Sequence, residues 1–239
     1  MDAHYFDPAH QEASDATILA KEIALLGEGD VFIDVGANIG YYSILAARRV
    51  GARGLVMSFE PSHREFTRLL ANLALNGCTS VVPVSVALGS APAIAELHIA
   101  PTHTGLNTLH VSSAAAHAFR NAAAQRVLVP CFDDFVAPLL GERRVRLLKI
   151  DVEGAEMDVL LGMRESLQRQ LFERIVVEIT PRFLENFGRS KEALYELLES
   201  CGYAARFRSQ EWQYDEVFEA PSPAAPTLQP VSSGTVPVS

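Results

Sequence analysis

Asp34, Glu60, Asp151 and Glu153 share a placement. Each ends, or lies just beyond, a short apolar run: VFIDV at 31–35, GLVMSFE at 54–60 and VRLLKI at 145–150. Runs of that length and composition read as buried β-strands. Carboxylates collected at strand ends can accept hydrogen bonds from hydroxyls, face a cation or take up a proton. Lys149 stands two residues before Asp151, so the two share one face of a strand. A lysine inside an apolar run is expensive to bury unless paired, and Asp151 and Glu153 are within reach of it.

A glycine turn follows the first of these acids. In VFIDVGANIGYYSILA, residues 31–46, Gly36 and Gly40 bracket Asn38. Two readings are open: close approach of a nucleotide-like cofactor, or tight packing of strand against helix. A dinucleotide fingerprint, G-x-G-x-x-G, would want glycine where Asn38 and Tyr41 stand, which disfavours a pyrophosphate, and no Walker loop is present. Glu60 lies 24 residues after Gly36, with Pro61 beside it, where an acid can accept from both ribose hydroxyls. A glycine turn, no phosphate finger and a ribose-reading acid indicate an adenosine cofactor without pyrophosphate. S-adenosyl-L-methionine fits, since its positive sulfonium tolerates an acidic site. A nicotinamide oxidoreductase on the same scaffold and a non-catalytic cofactor-binding partner protein are the alternatives.

The elements that must position these residues alternate. Strands are expected at 31–35, 54–60, 81–86, 145–150 and 174–179, with helices at 39–49, 62–75, about 155–168 and about 191–200. Apolar strands separated by helices imply an α/β fold, a doubly wound, mostly parallel sheet with right-handed crossovers. Its crevice lies beyond the strand C-termini, where Asp34, Glu60, Asp151, Glu153 and Glu178 would gather. Glu156 and Asp158 are better read as partners of the following helix's N-terminal dipole. The stretch between the third and fourth strands is too long for one crossover. It is expected to be an insertion, at about 91–131, with extra strands at 94–99 and 127–131 and a polar loop carrying His103, Asn107 and His110. One domain over 1–219 is expected, with an N-terminal helical segment at about 1–29 and a core over 30–219. A Pro/Ser-rich flexible tail follows at 220–239.

Composition excludes several classes. Of the 239 residues, 49% are hydrophobic and 21% charged, as in ordinary globular chains. The net charge of −9 opposes nonspecific nucleic-acid binding. No apolar run is long enough for a membrane span, and the acidic N-terminus lacks signal-peptide character. Cys78, Cys131 and Cys201 form neither a disulfide framework nor a metal motif, so a cytoplasmic protein with reduced thiols is expected. The expected partner is a small-molecule acceptor. No metal is assigned, although these carboxylates could hold a divalent ion. Oligomeric state is open, a homodimer included.

Four segments together, FIDVGANIGYYS, FEPSHREFTRLLANLALN, the FDD at 132–134 and LLKIDVEGAEMDVL, resemble the FkbM family of S-adenosylmethionine-dependent methyltransferases. The resemblance spans about 31–178. It implies a seven-stranded class I methyltransferase sheet, Rossmann-like, with a reversed last strand that 203–218 would supply as a hairpin. It also implies cofactor contacts at Gly36, Asn38, Gly40 and Glu60, and a reaction-side cluster at Lys149, Asp151, Glu153 and Gly154. Hydroxyl methylation of a natural product or sugar is the reaction it suggests. For an alcohol acceptor, the candidate bases are Asp151 and Glu153, then His103 and His110, with Glu178 in addition. Phe132 stands where the family often has leucine, and the insertion is less family-like, which suits a role in setting the substrate.

Overall fold

The structure, a computed structural model, describes residues 17–100, 104–111 and 123–221. Seven strands form the main sheet in the order β3-β2-β1-β6-β7-β9-β8. These are β1 (Val31–Val35), β2 (Leu55–Phe59), β3 (Val81–Val84), β6 (Val145–Ile150), β7 (Phe172–Ile179), β8 (Ala204–Ala205) and β9 (Tyr214–Glu219). Strands β1, β2, β3, β6 and β7 run parallel, while β9 runs antiparallel to both β7 and β8. The reversed strand of the C-terminal hairpin is therefore β9, inserted between β7 and β8. This is the seven-stranded sheet with a reversed strand that the resemblance implies.

Burial on both faces explains the unbroken apolar strands. Phe32, Val56, Leu147, Val176 and Val217 pack on one face against α1 (Ile18–Ala24) and α2 (Tyr41–Val50). The alternate residues Ile33, Met57, Leu148, Ile175 and Phe218 pack on the other face, as the two-residue side-chain period requires. Thr17 starts α1 by accepting from the Ala20 N–H at 3.1 Å, and Ser190 does the same for α9 (Lys191–Ser200) through Ala193. Helix α3 (His63–Leu75) connects β2 to β3.

Strand order reverses direction between β1 and β6, and this switch point opens the crevice. In the register of that pair, Asp34 stands opposite Lys149 and Val35 opposite Ile150. The Asp151 N–H extends the ladder to the Val35 carbonyl at 3.1 Å.

The insertion forms a second, two-stranded sheet, β4 (Ala93–Ile99) with β5 (Ala123–Val129), starting on β5 earlier than the sequence suggests. Its inner residues Leu97, Val127 and Val129 cluster with Ala87. A bridge from His98 to Thr108 and a 3₁₀ turn at Thr104–Leu106 carry the returning chain over the crevice.

Further elements differ from expectation. Strand β3 stops at Val84. The helix expected over 155–168 is two helices, α6 (Glu156–Leu161) and α7 (Arg164–Gln168). The break falls at Gly162, where the Gly89 carbonyl oxygen would lie 2.0 Å from any added Cβ. The FDD segment makes the short helix α4 (Phe132–Phe135), followed by α5 (Ala137–Leu140). The Asp133 carboxylate accepts from the Glu165 and Ser166 N–H groups of α7, so this acid caps a helix. Helix α8 (Pro181–Asn186) was not anticipated. Residues 1–16, His103 and 222–239, hence nearly all of the expected tail, lie outside the described residues.

Candidate active site

The crevice contains two cavities over the ends of β1, β2, β6 and β7. The first, about 90 Å³, is walled by Val35, Phe59, Val86, Leu88 and Leu97, with Glu60 and Pro61 at its β2 side. The second, about 340 Å³, is walled by Tyr41, Tyr42, Lys149, Glu178 and Gln213. Gly36, Asn38, Gly105, Asp151 and Glu153 line both.

Glu60 sits at the end of β2 and is 6% exposed. Its Oε2 accepts from the Asn38 N–H and its Oε1 from the Ser62 N–H, each at 2.8 Å. Asn38 reaches that position with a left-handed φ of 50°, a conformation that asparagine tolerates better than most residues. Burial pushes the Glu60 carboxyl up to about 7, against the downward pull of those two N–H groups. A carboxylate has roughly four lone-pair sites, so half of its accepting capacity remains for a ligand.

Beneath the shared wall, Lys149 is 4% exposed. Its ammonium lies 3.2 Å from Asp34 Oδ1 and 3.3 Å from Asp151 Oδ2, and donates to the Gly36 carbonyl at 2.6 Å. Burial works against that charge, but Asp34 and Asp151 outweigh it and hold the pKa above the usual lysine value. Asp34 is fully enclosed and its other oxygen accepts from Ser43 Oγ at 2.6 Å. It lines neither cavity. The structure thus gives Asp34 an ion pair with Lys149, and Lys149 the part of an anchor for Asp151 and the glycine turn.

The two glycines differ. A Cβ on Gly36 would lie 1.8 Å from the Asp151 carbonyl oxygen, so β1 and β6 can close at this point only around glycine. Gly40 packs on α3, where a Cβ would lie 2.3 Å from Leu69 Cδ1, and it lines neither cavity. Both packing and access explain Gly36; at Gly40 the left-handed φ of 89° before α2 is what calls for glycine, with the Leu69 side chain packed beside it.

Asp151, Glu153 and Glu178 bring carboxylate oxygens within 4.8 Å of one another. Burial, then Asp151, Glu178 and Glu156, push Glu153 up to about 9. Burial, then Asp151, push Glu178 up to about 8. Such spacing would also suit a cation; the cation present beside Asp151 is the Lys149 ammonium. Glu156 belongs to the scaffold: it accepts from the Val152 and Gly154 N–H groups at 3.1 and 3.0 Å, and burial raises it to about 7. Asp158 pairs with Arg189 at 2.6 Å.

The insertion reaches the site through Gly105, Asn107 and Leu109, which help wall the first cavity. Asn107 donates to the buried Glu65 at 3.0 Å and accepts from the Ala100 N–H at 2.9 Å, fixing the loop to α3. His110 is exposed, packs tilted against Phe187 with ring centres 5.4 Å apart, and lines neither cavity. Gln213, Tyr41 and Tyr42 line the second cavity without having been singled out as ligand residues. Gln213 precedes β9 in a loop that no motif marks; only the hairpin's return beside β7 brings it to the crevice.

Residues 34–205 match the family model described as the methyltransferase FkbM domain. This chain belongs to the FkbM methyltransferase family. It is 28% identical to "Methyltransferase 1" of Beauveria bassiana over 80% of this chain and 79% of that protein. It is 30% identical to the hexuronic acid methyltransferase AglP of Haloferax volcanii, over 64% of this chain and 56% of that one. A solved FkbM methyltransferase from Methylobacillus flagellatus superposes with a TM-score of 0.53 at 16% identity, which shows the shared fold. The alignment covers 82% of this chain and 45% of that longer one. The FkbM methyltransferase has no helix, among its described residues, long and apolar enough to cross a membrane.

Proposed function

We propose that this methyltransferase uses S-adenosyl-L-methionine to methylate a hydroxyl group on a small natural product or sugar. Glu60 carries the cofactor part of the reading. It is a buried acid at a strand end, held by two backbone N–H groups, with accepting capacity left for a ribose diol and apolar walls beside it for an adenine. Bound there, the cofactor would supply an electrophilic methyl group on a positively charged sulfur. The second cavity, within the roughly 300–1,000 Å³ typical of small-ligand sites, then belongs to the acceptor. Tyr41, Tyr42 and Gln213 would position it, and tyrosine rings beside carboxylates suit a polyhydroxylated molecule. The relative named for a hexuronic acid supports a sugar-like acceptor.

The chain's own contribution is orientation and proton removal. Lys149 holds Asp151 and the Gly36 turn in one arrangement, and alignment of reactants is worth up to about 7–11 kcal/mol. A carboxylate of the shared wall, Asp151 or Glu153, takes the hydroxyl proton, an effect worth about 10²–10⁴-fold. The first cavity, at about 90 Å³, is below the size of an ordinary ligand site. Cofactor entry therefore requires the segment carrying Gly105, Asn107 and Leu109 to give way and then close, which excludes water.

Calorimetric titration with S-adenosylhomocysteine, with NADH in parallel, tests the reading. Micromolar binding of the former alone is the expected result. Binding of NADH alone would replace the proposal with nicotinamide chemistry.

A further inference from the structure

Glu153 differs from every other acid in the crevice. Its backbone is left-handed, with φ 56°, and Gly154 follows at φ 109°. The turn is seated against the end of α8 and admits only glycine after Glu153, since a Cβ on Gly154 would lie 2.8 Å from both the Phe183 carbonyl oxygen and the Phe187 ring. It presents the carboxyl group in the wall common to both cavities. Above it stands Gly105, where an added Cβ would be 3.9 Å from Glu153 Oε1. Among the described residues no N–H or O–H donates to this carboxyl group, although Glu60 and Glu156 each have two backbone donors.

The charges facing Glu153 come from each neighbouring element. They are Lys149 from β6 and Asp151 just beyond it, Glu178 from β7, and Glu156 from α6, with Asp215 of β9 close to Asp151 and Lys149. Lys149 is already committed to Asp34 and Asp151. Carboxylates this close cannot all ionise, and a cation brought among them restores the ionised form. Adenosine in the first cavity and acceptor in the second put the reacting methyl at their common wall.

We infer that Glu153 senses the charge of the methyl donor, staying a carboxylic acid while no cation faces it and releasing its proton when the sulfonium arrives. This rests on the S-adenosylmethionine reading above. The carboxylate so formed is the base for the acceptor. In the transfer step the acceptor oxygen forms a bond to the methyl carbon and the carbon–sulfur bond breaks, its electron pair staying on sulfur. The hydroxyl proton passes to Glu153. Sulfonium and carboxylate become thioether and carboxylic acid, so the site's net charge is unchanged, and the neutral product leaves Glu153 protonated for the next cycle. The raised Glu153 carboxyl, up to about 9, agrees with this resting state.

Isothermal titration of the full chain at pH 8, in phosphate and in Tris, measures protons exchanged on binding. S-adenosylmethionine should release up to about one proton, and so should sinefungin, which carries an ammonium in place of the methylated sulfur. S-adenosylhomocysteine should release none. Glu153→Gln should abolish the release, weaken S-adenosylmethionine about tenfold and leave S-adenosylhomocysteine within about twofold. Equal release by S-adenosylmethionine and S-adenosylhomocysteine, or release unaltered in Glu153→Gln, overturns charge sensing and leaves the cofactor reading standing. Binding of none of the three overturns both. Wild-type protein alone decides the first comparison, so the outcome does not depend on the variant folding.

Discussion

Glu60 and Glu153 are the same residue type beyond the ends of β2 and β6, on either side of β1, both raised by burial, and they are built for opposite tasks. Glu60 is clasped by two backbone N–H groups that come from the glycine turn and from the start of α3. Those donors favour its charged form, and the group rests near 7. Glu153 has carboxylates where Glu60 has donors, and rests near 9. A carboxyl group held by donors is a fixed reader of hydroxyls. One held among its own kind responds to whatever charge comes next. The difference lies in the groups around each acid, not in the acid.

Removing the anchor common to both should have the largest effect. Lys149 lowers the pKa of Glu60 and of Glu153 and is itself buried with Asp34. Lys149→Met leaves an uncompensated buried carboxylate, so urea unfolding should show a loss of about 3–5 kcal/mol. A loss below 1 kcal/mol would mean that Asp34 finds another partner.

Glu60→Ala separates the two acids by ligand. It should weaken S-adenosylmethionine and S-adenosylhomocysteine alike, by about ten- to a hundredfold, since the lost hydrogen bonds to a charged group are worth about 1.5–3 kcal/mol. Selective weakening of one ligand would move charge sensing from Glu153 to Glu60.

Unliganded stability sharpens the contrast further. Both groups bind a proton more tightly folded than unfolded, where their value is 4.5, so each stabilises the fold at low pH and loses that contribution as pH rises. Melting temperature should therefore fall above about pH 5. Glu60→Gln should flatten the part ending near pH 7 and Glu153→Gln the part ending near pH 9, each kcal/mol reading as about 2–4 °C. A profile with no slope between pH 7 and 9 contradicts the raised Glu153.

Two smaller effects concern the insertion. Asn107→Ala removes the tie between the loop and Glu65 and should speed cofactor association up to about tenfold, with each lost hydrogen bond worth about 1 kcal/mol. Stopped-flow fluorescence would detect an unchanged rate, which would show that the loop does not limit entry. His110→Ala should alter cofactor affinity less than twofold, because the ring packs on Phe187 outside both cavities.

Much of this site is legible in the chain's order of residues. The apolar runs ending in Asp34, Glu60 and Asp151, and the need of a buried lysine for a partner, come from strand periodicity and the cost of burying charge, which are local rules. They place Glu60 and Asp151 at the crevice and pair Lys149 with Asp151. They do not reveal that Asp34 faces inward, because β1 pairs with β6 in a register that sets Asp34 against Lys149. Nor do they distinguish Gly36, pressed by the Asp151 backbone, from Gly40, pressed by Leu69. Gln213 and Asn107 reach the cavities through the return of β9 and the bridge to β4, contacts between residues far apart in sequence. What the sequence determined by itself was the alternation of elements and the acids at their ends, since periodicity and burial act over a few residues. What only the tertiary structure decided was which acid meets donors, which meets a cation and which meets other acids, since those distances exist only once the strands are paired.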